Sequence, residues 1–219
     1  MRRALVLRHG ILLNRYFLVP AERFFRRLGY EVHNRSYPTT RKRIEEHARD
    51  FSEEVCRIDE GLRRTGDPYE IHVLTHSLGA LVFRYAATHF DVPGIRRAVL
   101  LAPPNRGSRT ARYFKDFPPY RWLFGANAGR QLTEEPPGIF GEAGIPQGIE
   151  IGIIAGNVPW KLYPVPLEKP HDAIVSVSEA ELPPFPLKVL PYGHTPILFA
   201  RRAWEEAAHF LEHGKFREA

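Results

Sequence analysis

The sequence predicts a parallel α/β sheet of about six strands, covered by helices on both faces. Three observations carry that reading. Short, largely apolar runs recur at residues 4–7, 71–74, 98–102 and 149–155. A strand apolar on both sides has no solvent face, so it lies inside a covered sheet. Between these runs apolar residues recur every three or four positions, as they do on helices with one buried stripe. The two patterns alternate along the chain, as parallel strands joined by helical crossovers require.

Taken in order, residues 4–7 form the first strand, which ends at His9-Gly10. Residues 20–28 read as a helix, with Pro20 fitted to its first turn and Gly29 to its carboxyl end. Residues 30–36 form a second, weaker strand. Ile44, Ala48, Phe51, Val55, Ile58 and Leu62 then make one apolar stripe with charges between them, an amphipathic helix. A strand over 71–74 leads to a helix marked by Leu78, Leu81, Val82, Tyr85 and Ala86. The turn at Pro93-Gly94 introduces the strand at 98–102. Strands at 149–155 and 187–190 and a final helix over 197–211 complete the order, with Leu198, Ala203 and Phe210 available for burial. No repeat, low-complexity tract or linker interrupts it, so one domain spanning 1–219 is expected. Residues 103–148 break the alternation. They are rich in Pro and Gly and carry Tyr113, Phe114, Phe117, Tyr120, Trp122, Phe124 and Phe140. Such an interval between two core strands is usually an insertion over a site.

The totals narrow the function. A chain of 219 residues, 43% apolar and 26% charged, builds one sizeable core of soluble type. No stretch approaches the roughly 20 apolar residues of a membrane span. The four apolar residues after Met1-Arg2-Arg3 are too few for a signal peptide. Cys56 is the only cysteine, so no internal disulfide forms, and a cytoplasmic location is the expectation. The net charge of +6 sits in the first 64 residues, which hold 15 Lys/Arg against 9 Asp/Glu. A solvated arginine-rich face accounts for this better than a nucleic-acid partner, because no nucleic-acid motif accompanies it. No histidine or cysteine cluster has ligand spacing, so neither metal nor cofactor is implied.

The chemistry centres on Thr75-His76-Ser77-Leu78-Gly79. It lies where a buried strand meets a helix. A serine there has its hydroxyl pushed out of the sheet at a helix amino end, where free N–H groups favour developing negative charge. Gly79 and Ala80 let helix and strand come close. On this stretch alone, an ordinary turn with a helix-capping Ser77 is the rival reading. The segment resembles the G-x-S-x-G nucleophile elbow of the α/β-hydrolases, with Thr75 in place of the first glycine. That resemblance implies an α/β-hydrolase fold, with an insertion or lid at approximately 104–148.

A serine hydroxyl needs a histidine to take its proton, a carboxylate to hold that histidine, and N–H donors for the oxyanion. The resemblance implies the order Ser, acid, His, each on a loop after a later strand. His171-Asp172-Ala173-Ile174-Val175 is similar to the D-G-x-V acid loop of lipase-type members, with Ala173 where glycine is frequent. Pro191-Tyr192-Gly193-His194 opens the final helix where the family keeps its histidine. Asp172 follows Ser77 by 95 residues and His194 follows Asp172 by 22. Glu168 and Glu150 are rival acids. His76, His171, His72, His209 and His213 are weaker bases by position, and the side chain of His76 is expected to point away from Ser77. The resemblance implies the N–H of Leu78 as the first oxyanion donor. Arg8-His9-Gly10-Ile11 resembles the lipase H-G motif, which implies the N–H of Ile11 as the second, with Gly10 letting the backbone bend. Pro104-Asn105-Arg106-Gly107-Ser108 is similar to the P-N-x-G-S segment of small lipases and esterases, and is read as loop structure without chemistry.

The expected activity is therefore cleavage of small-molecule carboxylic esters through an acyl-enzyme on Ser77. Acyl transfer or thioester cleavage by the same three residues is the alternative within enzymes. A non-catalytic binding protein on a hydrolase scaffold is the alternative outside them. His9, Phe117 and Trp122 are candidate substrate contacts. Pro118-Pro119 divides the aromatic insertion into two short segments. Its aromatics either roof an acyl pocket, which is preferred, or pack as core, or rest on a lipid surface beside Arg109, Arg112, Lys115 and Arg121.

Overall fold

The computed structural model describes residues 1–159 and 165–218. Residues 160–164, in the proline-rich loop expected after the 149–155 strand, lie outside the described residues, as does residue 219. One sheet holds six parallel strands: β1 (Arg2–Arg8), β2 (Glu31–Asn34), β3 (Tyr69–His76), β4 (Ile95–Leu101), β5 (Glu150–Gly156) and β6 (Leu187–Leu190). Their order across the sheet is β2-β1-β3-β4-β5-β6. Because side chains alternate along a strand, each apolar run feeds two cores. Ala4, Val6, Ile71, Val73, Ala98 and Leu100 face one way. Leu5, Leu7, Leu74, Val99 and Leu101 face the other.

Helices cover both faces. On the first lie α2 (Ile44–Arg63), which buries Ile44, Ala48, Phe51, Val55 and Leu62, and α3 (Leu78–His89). On the second lie α1 (Val19–Arg27), with Phe25 buried, and the last helix, with Ala203, Ala207, Phe210 and Leu211 buried. That last helix is shorter than expected. Pro196–Phe199 makes a 3₁₀ turn, Ala200 is extended, and the α-helix runs only over Arg201–His213. Pro196 opens the tighter turn instead of the α-helix itself.

Residues 102–149 carry four short helices: α4 (Arg109–Tyr113), α5 (Pro118–Phe124), α6 (Ala128–Gln131) and α7 (Gly138–Glu142). The prolines at 118 and 119 start α5, where a missing N–H costs nothing. Arg84 of α3 ties this segment down. It is buried and donates to the carbonyls of Asn105, Phe140 and Gly144. Gln131 accepts from the Ile44 N–H and donates to Glu45, at the start of α2. After β5 comes α8 (Val177–Ala180), and α9 (Arg201–His213) ends the chain order. Among the described residues no helix is long and apolar enough to cross a membrane.

Candidate active site

The strand before Ser77 is longer than the apolar run suggested. Thr75 and His76 are still in β3, opposite Leu100 and Leu101 of β4. The change of direction is confined to Ser77, which has φ 50° and ψ −121°. This is a sparsely populated conformation for a residue with a Cβ, and such residues persist only where their surroundings fix them. Here the Ser77 N–H donates to the Leu101 carbonyl at 3.0 Å, and α3 starts at the next residue. Thr75, in place of the first glycine of the motif, is an extended strand residue, for which a β-branched side chain is well suited.

Two glycines set the close approaches. A Cβ on Gly79 would fall 2.7 Å from the Arg8 carbonyl oxygen and 3.0 Å from that of His9, so α3 begins directly against the end of β1. A Cβ on Gly10 would fall 2.8 Å from His76 Nδ1 and 3.1 Å from Ser77 Cβ. Gly10 is absent from the positive-φ glycines, so the reason for glycine there is lack of space, and not the bend the sequence suggested.

His194 follows β6, and its Nε2 lies 3.0 Å from Ser77 Oγ. Its Nδ1 lies 2.8 Å from Asp172 Oδ2. Asp172 follows β5 and is buried, with Oδ1 accepting the N–H groups of Ile174 at 2.9 Å and Val175 at 2.7 Å. Three nitrogens, two of them backbone N–H donors, therefore face one carboxylate. The His194 main chain is pinned at both ends. Its N–H donates to the Asp172 carbonyl at 3.0 Å. Its carbonyl accepts from His76 Nε2 at 2.9 Å. Since a carbonyl only accepts, His76 carries its proton on Nε2. His76 Nδ1 is buried without a partner among the described residues, and burial, reinforced by His194, pushes its pKa well below the usual histidine value. The His76 ring lies 4.9 Å from that of His194. Position in the motif gave no hint of this contact, which depends on the loop after β6 folding back over β3.

The other expected site residues divide. Ile11 lines the cavity beside Ser77, and its N–H has no acceptor among the described residues. Leu78 is the first residue of α3, where N–H groups lack intrahelical acceptors. His9 does not reach the cavity. It is fully buried, stacked 4.5 Å from Tyr37, and held by its Nδ1 on the Gly10 carbonyl. Burial lowers its pKa to about 4, so it is a neutral structural residue. Trp122 also misses the site: it is exposed on the outer side of α5, next to Lys115, Arg121 and Arg130. Phe117 lines a separate groove. The aromatics that do reach the cavity are Tyr120 and Phe124, stacked 4.3 Å apart, with Thr110, Leu132, Ile174 and Val175 completing the apolar wall. Once α5 starts at Pro118, positions 120 and 124 share one face and 122 the opposite one, a periodicity present in the sequence.

The rival acids are elsewhere: Glu150 pairs with Arg97, and Glu168 accepts from Ser178. His209 and His213 lie with ring centroids 4.5 Å apart along α9, their planes tilted by 56°. Asn105 braces its loop, donating to the Ala180 carbonyl and accepting from Arg84. Ala173, where lipase-type loops favour glycine, has φ 86°. Among the described residues no three His, Cys, Asp or Glu side chains are grouped to hold a metal ion.

The cavity at Ser77 has a volume of about 200 Å³. Beside it a groove of about 230 Å³ runs under α5, lined by Phe114, Phe117, Pro119 and Leu123 and sharing Thr110, Tyr120, Phe124 and Ile174 with the cavity.

No protein-family model and no curated protein sequence matches this chain. Solved structures do. A Bacillus licheniformis lipase, BlEst2, in its mature form is similar over 98% of this chain and 93% of its own, with a TM-score of 0.74 and 15% identity. A metagenomic carboxyl esterase is similar over 97% of this chain and 76% of its own, with a TM-score of 0.69 and 18% identity. The phospholipase PlaB from Legionella pneumophila is similar over 89% of this chain, with a TM-score of 0.69 and 13% identity, although the match spans only 53% of PlaB. At these identities the likeness establishes the fold.

Proposed function

We propose that this chain, which has the α/β-hydrolase fold, is a serine hydrolase of carboxylic esters. The observation that carries the reading is the continuous relay from Ser77 Oγ to His194 Nε2 at 3.0 Å and from His194 Nδ1 to Asp172 Oδ2 at 2.8 Å. In this reading Asp172 keeps the Nδ1 proton on His194, leaving Nε2 to take the Ser77 proton as Oγ attacks the ester carbonyl. The oxyanion of the tetrahedral intermediate is held by the N–H groups of Ile11 and Leu78. Protonated His194 then gives its proton to the leaving alcohol as the carbonyl reforms on Ser77. Water, deprotonated by the same Nε2, releases the carboxylic acid and restores Oγ–H.

The structural neighbours include a lipase and a carboxyl esterase, which is consistent with this chemistry. So is the apolar wall of the cavity, which suits an acyl or alkyl group better than a charged one. In this reading α4 and α5 form a cap over the acyl group, with Tyr120 and Phe124 as its inner surface. The test is hydrolysis of p-nitrophenyl esters of increasing chain length by the full chain and by Ser77→Ala. The expected result is turnover that falls about 10⁴-fold in the variant, because only oxyanion and binding effects remain. Equal turnover by both proteins overturns the reading.

A further inference from the structure

The outer side of α4 and α5 carries apolar surface that the cavity does not use. Tyr113, Phe117, Trp122 and Leu123 are 51%, 53%, 86% and 48% exposed. They fall within eleven residues, so they form a local concentration, unlike exposed apolar residues scattered singly. The charge around them is mainly positive, with Asp116 alone of opposite sign in the pocket that Trp122 lines. Residues 109–130 contain Arg109, Arg112, Lys115, Arg121 and Arg130 and a single acid, Asp116. Arg112 is engaged with Glu135, while Lys115, Arg121 and Arg130 share with Trp122 an open pocket of about 640 Å³.

We propose that this face docks on an anionic lipid surface. Trp122 and Leu123 enter the headgroup layer, and Lys115, Arg121 and Arg130 take the negative charge of lipid phosphates. Charge complementarity names the occupant: basic residues near an anionic leaflet each add attraction, and tryptophan prefers the boundary between water and lipid. The seven residues of α5 span about 10 Å, whereas a stable protein interface buries about 800 Å² per partner. Insertion of a few side chains needs no such minimum. The placement is also continuous with the interior. The same helix turns Tyr120 and Phe124 toward the Ser77 cavity, and Phe117 and Leu123 line the neighbouring groove, which shares Tyr120 and Phe124 as walls, so docking sets that groove at the lipid.

The proposal concerns binding and stands apart from the reaction at Ser77. Its test is co-sedimentation of the full chain with phosphatidylcholine vesicles, with and without about one-third phosphatidylglycerol, at low and high salt. Binding to the anionic vesicles only, weakened by salt, is expected, and Ser77→Ala binds equally. Trp122→Ser lowers the affinity about tenfold, and Lys115→Gln or Arg121→Gln about fivefold each. All three side chains are exposed, so melting temperatures should match wild type, which separates lost docking from lost folding. Absence of binding at low salt, equal binding to neutral vesicles, or unchanged binding by Trp122→Ser overturns the proposal. So does a dimer in sedimentation velocity that Trp122→Ser dissolves, since the face would then be covered by a second copy.

Discussion

Replacing Asp172 by asparagine isolates one proton. Oδ1 of Asp172 accepts two backbone N–H groups, from Ile174 at 2.9 Å and Val175 at 2.7 Å. An amide NH₂ placed there would put donors against donors, at a cost of about 1–3 kcal/mol for each buried group left unpaired. The asparagine oxygen therefore takes the Oδ1 position, and its NH₂ faces His194 Nδ1. That nitrogen must then accept, and the imidazole proton moves to Nε2, toward Ser77 Oγ, where a base is needed. The hydrogen-bond count of the loop is unchanged, so the melting temperature should stay close to wild type. The loss falls on kcat: about 10²–10⁴-fold, or about 3–5 kcal/mol in the barrier. Steady-state hydrolysis of p-nitrophenyl butyrate with a parallel thermal melt measures both. Near-wild-type kcat in a folded Asp172→Asn refutes the argument. Loss of kcat together with a large loss of stability would mean that the carboxylate is needed for the loop and not for the tautomer.

Three further outcomes follow from the structure. Gly79→Ala gains about 1 kcal/mol of helix propensity but sets a Cβ 2.7 Å from a backbone oxygen that cannot move aside, so the clash should win and lower the melting temperature by about 4 °C or more; an unchanged melt would mean that α3 sits further from β1. Burial holds His9, His47 and His72 at about 4, while in the unfolded chain they protonate near 6.5. Between these values the unfolded chain binds more protons, so stability should fall steadily as pH drops from 6.5 toward 4, by about 1.4 kcal/mol per pH unit for each histidine that remains neutral; denaturant melts that are flat across this window contradict it. Truncating Leu123 or Phe117 to Ala widens the groove and not the cavity, so kcat/KM should drop for long acyl chains by about 1–3 kcal/mol while acetyl esters are unaffected; equal effects on all chain lengths would remove the groove from the substrate path.

The sheet and the positions of Ser77, Asp172 and His194 were legible because each depends on local pattern. The apolar runs at 4–7 and 98–102 are buried on both sides, and loops after successive parallel strands end at the same edge. The arrangement of residues 102–149 was legible only in outline. Pro118 and Pro119 marked the break, but which aromatics turn inward depends on α5 being a helix, and aromatic density alone selected Trp122 over Tyr120 and Phe124. His9 was misread because a polar residue beside the oxyanion loop suggests a ligand contact, whereas its ring stacks on Tyr37, 28 residues away in sequence. The contact between His76 and His194, 118 residues apart, had no local signal at all.

The central claim is that Ser77 is a nucleophile activated by His194. Labelling the full chain with a fluorophosphonate and locating the adduct by peptide mass spectrometry tests it most directly. The account predicts a single adduct, on Ser77, that forms far more slowly in His194→Ala and Asp172→Asn. An adduct on Ser108, Ser176 or Ser178, or labelling of Ser77 at the same rate in His194→Ala, would contradict it.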